Sequence, residues 1–184
     1  MTALKAKRAQ RGAEIIGWRE KVALPELGVA DMRAKIDTGA RTSAMHAEDI
    51  EVFEHAGRKW VRFRVPGTRT HKDMRVETPV HDEREIKNTS GVPESRLIIE
   101  TALVLGRHHW HVEVSLANRE NMGFDMILGR TAIRGRNVLV NPGKSFVAGE
   151  PKVKAPNSTC SDAARGIGTK PEETGKRLSK GESL

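Results

Sequence analysis

The chain has a single cysteine and no tyrosine among its 184 residues. Cys160 therefore has no partner for an internal disulfide and cannot build a multi-cysteine metal site. No apolar run approaches the ~20 residues of a membrane-spanning helix, and the basic N-terminus is not followed by the apolar core of a signal peptide. A cytoplasmic protein with no membrane partner is expected. There is no Gly-x-x-x-x-Gly-Lys-Ser/Thr phosphate loop and no His-Glu-x-x-His zinc pair, so any dependence on ATP would have to come through a partner. Trp18, Trp60 and Trp110 each fall in a strand-like stretch and read as core or interface residues rather than a platform for stacking bases.

The net charge of +8 is not spread over the molecule. Residues 1–13 carry Lys5, Lys7, Arg8 and Arg11 with no acid, and residues 148–184 carry +2, which leaves +2 for the 134 residues between. A basic arm on a nearly neutral body is a solvated tail, and nucleic acid is not expected as a partner. The chain divides into a basic flexible arm (1–13), one domain (14–147) and a polar tail (148–184). That tail holds too few large apolar residues to offset its ordering entropy. The length suits one core, not two.

Short strands and close turns fill the domain. Residues 14–24 form a strand that Pro25 stops, and Gly28 turns the chain into a strand over 29–36. Ile50 to Phe53 and Lys59 to Val65 make a hairpin around His55-Ala56-Gly57, and 44–47 continues outward. Met74 to Val80 and Arg84 to Lys87 are further strands. Arg96 to Leu105 and His108 to Leu116 pair across Gly106-Arg107. No long helical period occurs, which predicts an all-β barrel whose one short helix follows Arg130.

The most informative stretch is Lys35-Ile36-Asp37-Thr38-Gly39-Ala40-Arg41-Thr42-Ser43. Met32, Ala34 and Ile36 alternate with Asp31, Arg33 and Lys35, so Asp37 sits where a half-buried strand ends, and Gly39 lets the backbone turn closely behind it. Taken alone, such an Asp is a turn former whose side chain caps nearby N–H groups. A second element, Phe124-Asp125-Met126-Ile127-Leu128-Gly129-Arg130, lies downstream.

Asp-Thr-Gly-Ala followed by Ile-Leu-Gly-Arg resembles the retropepsin-like aspartic proteases. With Asn88-Thr89-Ser90-Gly91 and Asn118-Arg119-Glu120-Asn121-Met122, the match over about residues 14–146 resembles, more narrowly, a bacterial and archaeal family known as ATP-dependent zinc proteases. Its members are linked to the glutamate ligase that modifies ribosomal protein. The resemblance implies a closed retropepsin-like (acid protease) barrel with one lobe per chain. It implies catalytic roles for Asp37, Thr38 and Gly39, and support of the active turn by Leu128, Gly129 and Arg130. From its own chemistry Arg130 reads as a structural ion-pair partner that orders the turn.

With no internal repeat, the second aspartate such chemistry needs has to come from another copy, in a homodimer. The substrate would be a protein or peptide, such as a glutamylated ribosomal protein, and a glutamate ligase would be an associate. Ala40, Arg41, Ser90 and Gly91 are the substrate-binding candidates. Arg41 stands where viral retropepsins carry an acid, and a base there favours acidic substrates. Ser90 and Gly91 belong to the best candidate for a lid tip, there being no glycine-rich flap.

No cofactor is expected from the residues themselves. The zinc in the family's name directs attention to His109 and His111, two positions apart on one strand face, with His46, His71 or His81 to complete a set. Two other readings stay open: a zinc-dependent hydrolase, and a non-catalytic dimerisation or docking module for ribosomal or ligase partners.

Overall fold

A computed structural model describes residues 12–87, 91, 93–120 and 122–153. Strands β1 (Glu14–Leu24) and β2 (Val29–Asp37) form an antiparallel hairpin across a short 3-10 turn, Pro25–Leu27. Proline suits the first position of that turn because its φ is preset and its missing N–H has no partner there to lose. Strand β3 (Ser43–His46) follows, then β4 (Glu48–His55), β5 (Arg58–Val65) and β6 (Met74–Pro79). Next come β7 (Asp82–Lys87), β8 (Pro93–Leu105) and β9 (His108–Ala117). Strand β10 (Met126–Gly129) runs directly into helix α1 (Arg130–Ile133), and β11 (Val138–Ser145) ends the fold. No helix among the described residues is long and apolar enough to cross a membrane.

Six strands close on themselves in the order β1, β2, β10, β3, β9, β8, with the ring completed where Val22 and Ala23 of β1 meet Leu105 and Val104 of β8. Strand β11 lies parallel to β1 at one edge and β7 pairs with β8 at the other. The closed all-β barrel read from the sequence is the fold observed.

Alternation along each strand fills its interior. Met32, Ala34 and Ile36 of β2 are buried while Arg33 and Lys35 face water, and Trp110, Val112 and Val114 of β9 are buried while His109 and His111 are exposed. A separate three-stranded sheet, β4–β5–β6, turns Val61, Phe63, Val65 and Val76 onto the same core. Full burial of a side chain the size of Phe63 contributes about 2–3 kcal/mol.

Three features depart from the sequence reading. Strand β3 does not run outward: all four of its residues are buried, because it is inserted between β10 and β9 inside the barrel wall. Strand β11, which carries Pro142, is not among the strands expected from the sequence. At a sheet edge a proline is tolerated because one side of the strand needs no ladder donor. Finally, residues 148–153, grouped by composition with the polar tail, pack on the barrel. The Lys152 N–H donates to the Gly106 carbonyl at 2.7 Å, and Glu150 pairs with Lys21. Ala148 packs against the core, and the rest of the hold comes from backbone and charge, which composition alone does not reveal.

Glu20 explains how that segment is anchored. It is fully buried, and its carboxylate accepts the backbone N–H groups of Gly17, Val147 and Ala148. Among the described residues its donors are main-chain N–H groups drawn from both ends of the fold. Glu20→Ala strands these donors in a dry site, so a loss of roughly 3 kcal/mol is expected. For a domain of this size that is a fall of about 10 °C in thermal midpoint, measurable by calorimetry. A midpoint within a degree or two of the parent would show that the carboxylate is not the anchor.

Candidate active site

Strand β2 delivers Asp37 to the rim of the barrel because its last apolar residue, Ile36, is drawn into the core and the following backbone must turn away. Asp37 Oδ1 accepts hydrogen bonds from the N–H groups of Gly39 and Ala40, both at 3.1 Å. Two main-chain donors thus fix the carboxylate while Asp37 stays partly open to solvent and Thr38 and Gly39 are exposed. Gly39 has an ordinary backbone conformation, so the glycine is not required by φ. A Cβ there would instead stand 3.3 Å from Asp37 Oδ1 and crowd the carboxylate.

Strand β10 braces this turn, with Gly129 in register beside Asp37. A Cβ on Gly129 would lie 2.6 Å from the Thr42 carbonyl carbon and 2.7 Å from the Arg41 oxygen, both backbone atoms. Only glycine permits that approach. The Gly129 N–H donates to Ser43 Oγ at 3.2 Å, and Ser115 Oγ donates to the Ser43 carbonyl at 3.0 Å, tying β10, β3 and β9 together beneath the turn. Leu128 is buried behind them.

Arg130 orders the turn, but not through the ion pair expected of it. Its guanidinium donates to the carbonyls of Gly39 (3.0 Å) and Thr38 (3.4 Å), and its N–H to that of Ala40 (2.9 Å). A turn that aims its N–H groups at Asp37 presents its carbonyls the other way, and those are what the side chain reaches. Thr131 secures the Arg41 carbonyl through both its N–H (3.2 Å) and its hydroxyl (2.8 Å). The residue Arg41 itself is exposed.

A second cation, to which the sequence assigns no role, lies close by. Arg119 follows β9, and its N–H donates to Nδ1 of the buried His46 at 2.9 Å, while His46 Nε2 meets the Glu48 carboxylate at 3.0 Å. Burial and the neighbouring Arg96 push the Arg119 guanidinium below its ordinary pKa, and the charges of Asp37 and Asp125 draw it back up. Arg96 is neutralised by Glu94 at 2.9 Å. A cavity of about 530 Å³ opens alongside, lined in part by Glu48, Arg96, Leu116 and Asn118.

The lid candidate falls largely out of view. Strands β7 and β8 pair up to Lys87 opposite Pro93. Asn88, Thr89 and Ser90 lie outside the described residues, and Gly91 is exposed with φ of +77°.

The histidines do not assemble a zinc site. His109 and His111 share an exposed face as expected, but His111 Nε2 is bonded to Glu26 at 3.3 Å. His46 is engaged by Glu48 and Arg119, and His81 lies between Glu100 and Glu113. Buried His71 gives its Nδ1 to the Lys72 carbonyl. Among the described residues no group of three or more His, Cys, Asp or Glu side chains is placed to hold a metal, so the donor set does not fit zinc.

A closed barrel carrying one Asp-Thr-Gly turn, braced by a Leu-Gly-Arg strand and helix, is a retropepsin-like domain. The chain belongs to the RimB-like family, whose model, described as retropepsin-like aspartic endopeptidase RimB, matches residues 15–151. Two proteins named as probable alpha-L-glutamate ligases, from Desulfotalea psychrophila and Shewanella halifaxensis, are each 41% identical to it over 139 and 138 residues. Those matches cover 74% of this chain and 30% of the relatives, so the chain spans less than a third of their length. A Legionella pneumophila protein of unknown function has a crystal structure with a TM-score of 0.63 and 30% identity, covering 73% of this chain and 98% of that one.

Proposed function

We propose that the protein is an aspartic peptidase, active as a homodimer in which each copy contributes Asp37, and that it hydrolyses a peptide or isopeptide bond in acidic, glutamate-rich protein tails. The observation that carries this reading is the Asp37 carboxylate, held at a partly exposed strand end by two main-chain N–H groups over a brace that only glycine allows.

Two such carboxylates brought together on a two-fold axis share one proton, since both cannot ionise side by side. The ionised one takes a proton from a water between them, and the water oxygen bonds to the scissile carbonyl carbon. The protonated one gives its proton to the carbonyl oxygen, leaving a neutral diol and the pair still holding one proton. In the second step a diol hydroxyl returns a proton to the ionised carboxylate, and the protonated one transfers its own to the leaving nitrogen. The C–N bond then breaks to a carboxylic acid and an amine. Thr38, exposed beside Asp37, is assigned the hydrogen bond across the axis, and Ala40, Ser90 and Gly91 are assigned to substrate.

The relatives named as ligases of α-L-glutamate support an acidic substrate and a ligase associate, because a domain of this kind occupies part of each. The test is cleavage of a peptide library that includes oligo-glutamate tails, from about pH 4 to 8, with and without chelator. Cleavage that is indifferent to chelator and enriched in glutamate is expected. Cleavage abolished by chelator would move the chemistry to a metal, and no cleavage of any peptide would favour a docking module.

A further inference from the structure

Arg119 is an anomaly of charge. It is half-buried, yet among the described residues no carboxylate pairs with it, and its only side-chain bond is a long one from Nε to the Phe124 carbonyl, at 3.4 Å. Both terminal amino groups of its fork are without a partner there. The other desolvated guanidinium in the region, Arg96, is closed by Glu94 in two bonds of 2.9 and 3.2 Å. Taking a cation out of water without a counter-ion is costly, and the cost here is imposed by the fold. The backbone of Arg119 is pinned by His46, which Glu48 orients and whose own N–H is bound to the Asp125 carbonyl at 2.7 Å, at the head of the strand that braces the active turn. Arg119 is thus fixed to the same frame as Asp37 and within range of its charge.

We infer that Arg119 is a specificity-determining residue: its unpaired fork receives the side-chain carboxylate of a substrate glutamate next to the bond presented to Asp37. A guanidinium fork matches a carboxylate bidentately, and a partly dry setting makes the pairing stronger than at an exposed position. Arg41, the sequence-based candidate for this preference, is exposed and screened by solvent, and such a charge contributes little. Arg96 is occupied. The inference rests on the proposed function for its placement beside the reacting bond, but the recognition it assigns is measurable without catalysis.

The experiment has two parts, each on the full chain. Binding of a glutamate-containing peptide and of its glutamine counterpart is measured on Asp37→Asn, alone and combined with Arg119→Gln, Arg119→Lys or Arg41→Ala. A charge-assisted bidentate pair predicts that Arg119→Gln weakens the glutamate peptide roughly tenfold to a hundredfold and erases the preference over glutamine. Lysine, which keeps the charge but not the fork, is expected to restore part of it, and Arg41→Ala to leave it nearly unchanged. Melting curves confirm that each variant is folded.

A preference that survives in folded Arg119→Gln, or that disappears in Arg41→Ala instead, overturns the assignment. Cleavage by the parent chain against Asp37→Asn is run in parallel. Its absence refutes the peptidase reading alone, because the binding result stands or falls separately.

Discussion

Asp37→Asn is expected to lower peptide hydrolysis by roughly a thousandfold or more while leaving the fold intact. The side chains are nearly isosteric, and the amide oxygen still accepts the N–H groups of Gly39 and Ala40 that now bond to Oδ1 at 3.1 Å. The turn therefore keeps its shape and the thermal midpoint moves little. What disappears is the ability to take a proton from water, since an amide is neither a base nor an acid between about pH 4 and 8. In the proposed dimer each copy supplies the same residue, so one substitution removes both halves of the pair. Cleavage rates and melting curves on the same preparations check this, and a variant that retains cleavage would place the chemistry elsewhere.

Gly129→Ala acts on the same site from beneath and is expected to damage both stability and activity. The added methyl would stand 2.6 Å and 2.7 Å from backbone atoms of Thr42 and Arg41, neither of which can swing aside as a side chain would. Either β10 retreats, which breaks the Gly129 bond to Ser43 Oγ, or the turn shifts and Asp37 moves with it. Overpacking against rigid neighbours costs about 3 kcal/mol, and displacement of a reacting group by an ångström costs about a hundredfold in rate. Denaturant titration and initial rates give both numbers. Gly123→Ala, where nothing lies within 4 Å of the new Cβ, is the neutral comparison.

The legible parts of this molecule are those written in local sequence. The period of two over residues 29–36 places Asp37 at a strand end without any knowledge of the barrel, and Thr-Gly behind it announces the turn. The brace was legible only by its likeness to a known pair of motifs, since nothing local in Leu128-Gly129-Arg130 says that Thr42 will be its neighbour. Strand β3 was misjudged because its short, mixed sequence gives no face. Its burial is decided by β9 and β10, whose paired residues lie about seventy to eighty positions further along the chain. Arg119 is hidden for the same reason. Its meaning depends on His46, 73 positions away, and on what fails to pair with it. A missing counter-charge is a property of packing, invisible along the chain.

The central claim is that one reaction centre needs two copies of Asp37, and mixing parent protein with Asp37→Asn tests it most directly. At equal amounts, after subunits have exchanged, random pairing makes only roughly a quarter of the dimers fully parental. The account predicts that cleavage falls to about that fraction, and lower still with excess variant. Cleavage that merely halves, in proportion to the parent protein present, would mean that a single chain carries a complete site and would contradict it.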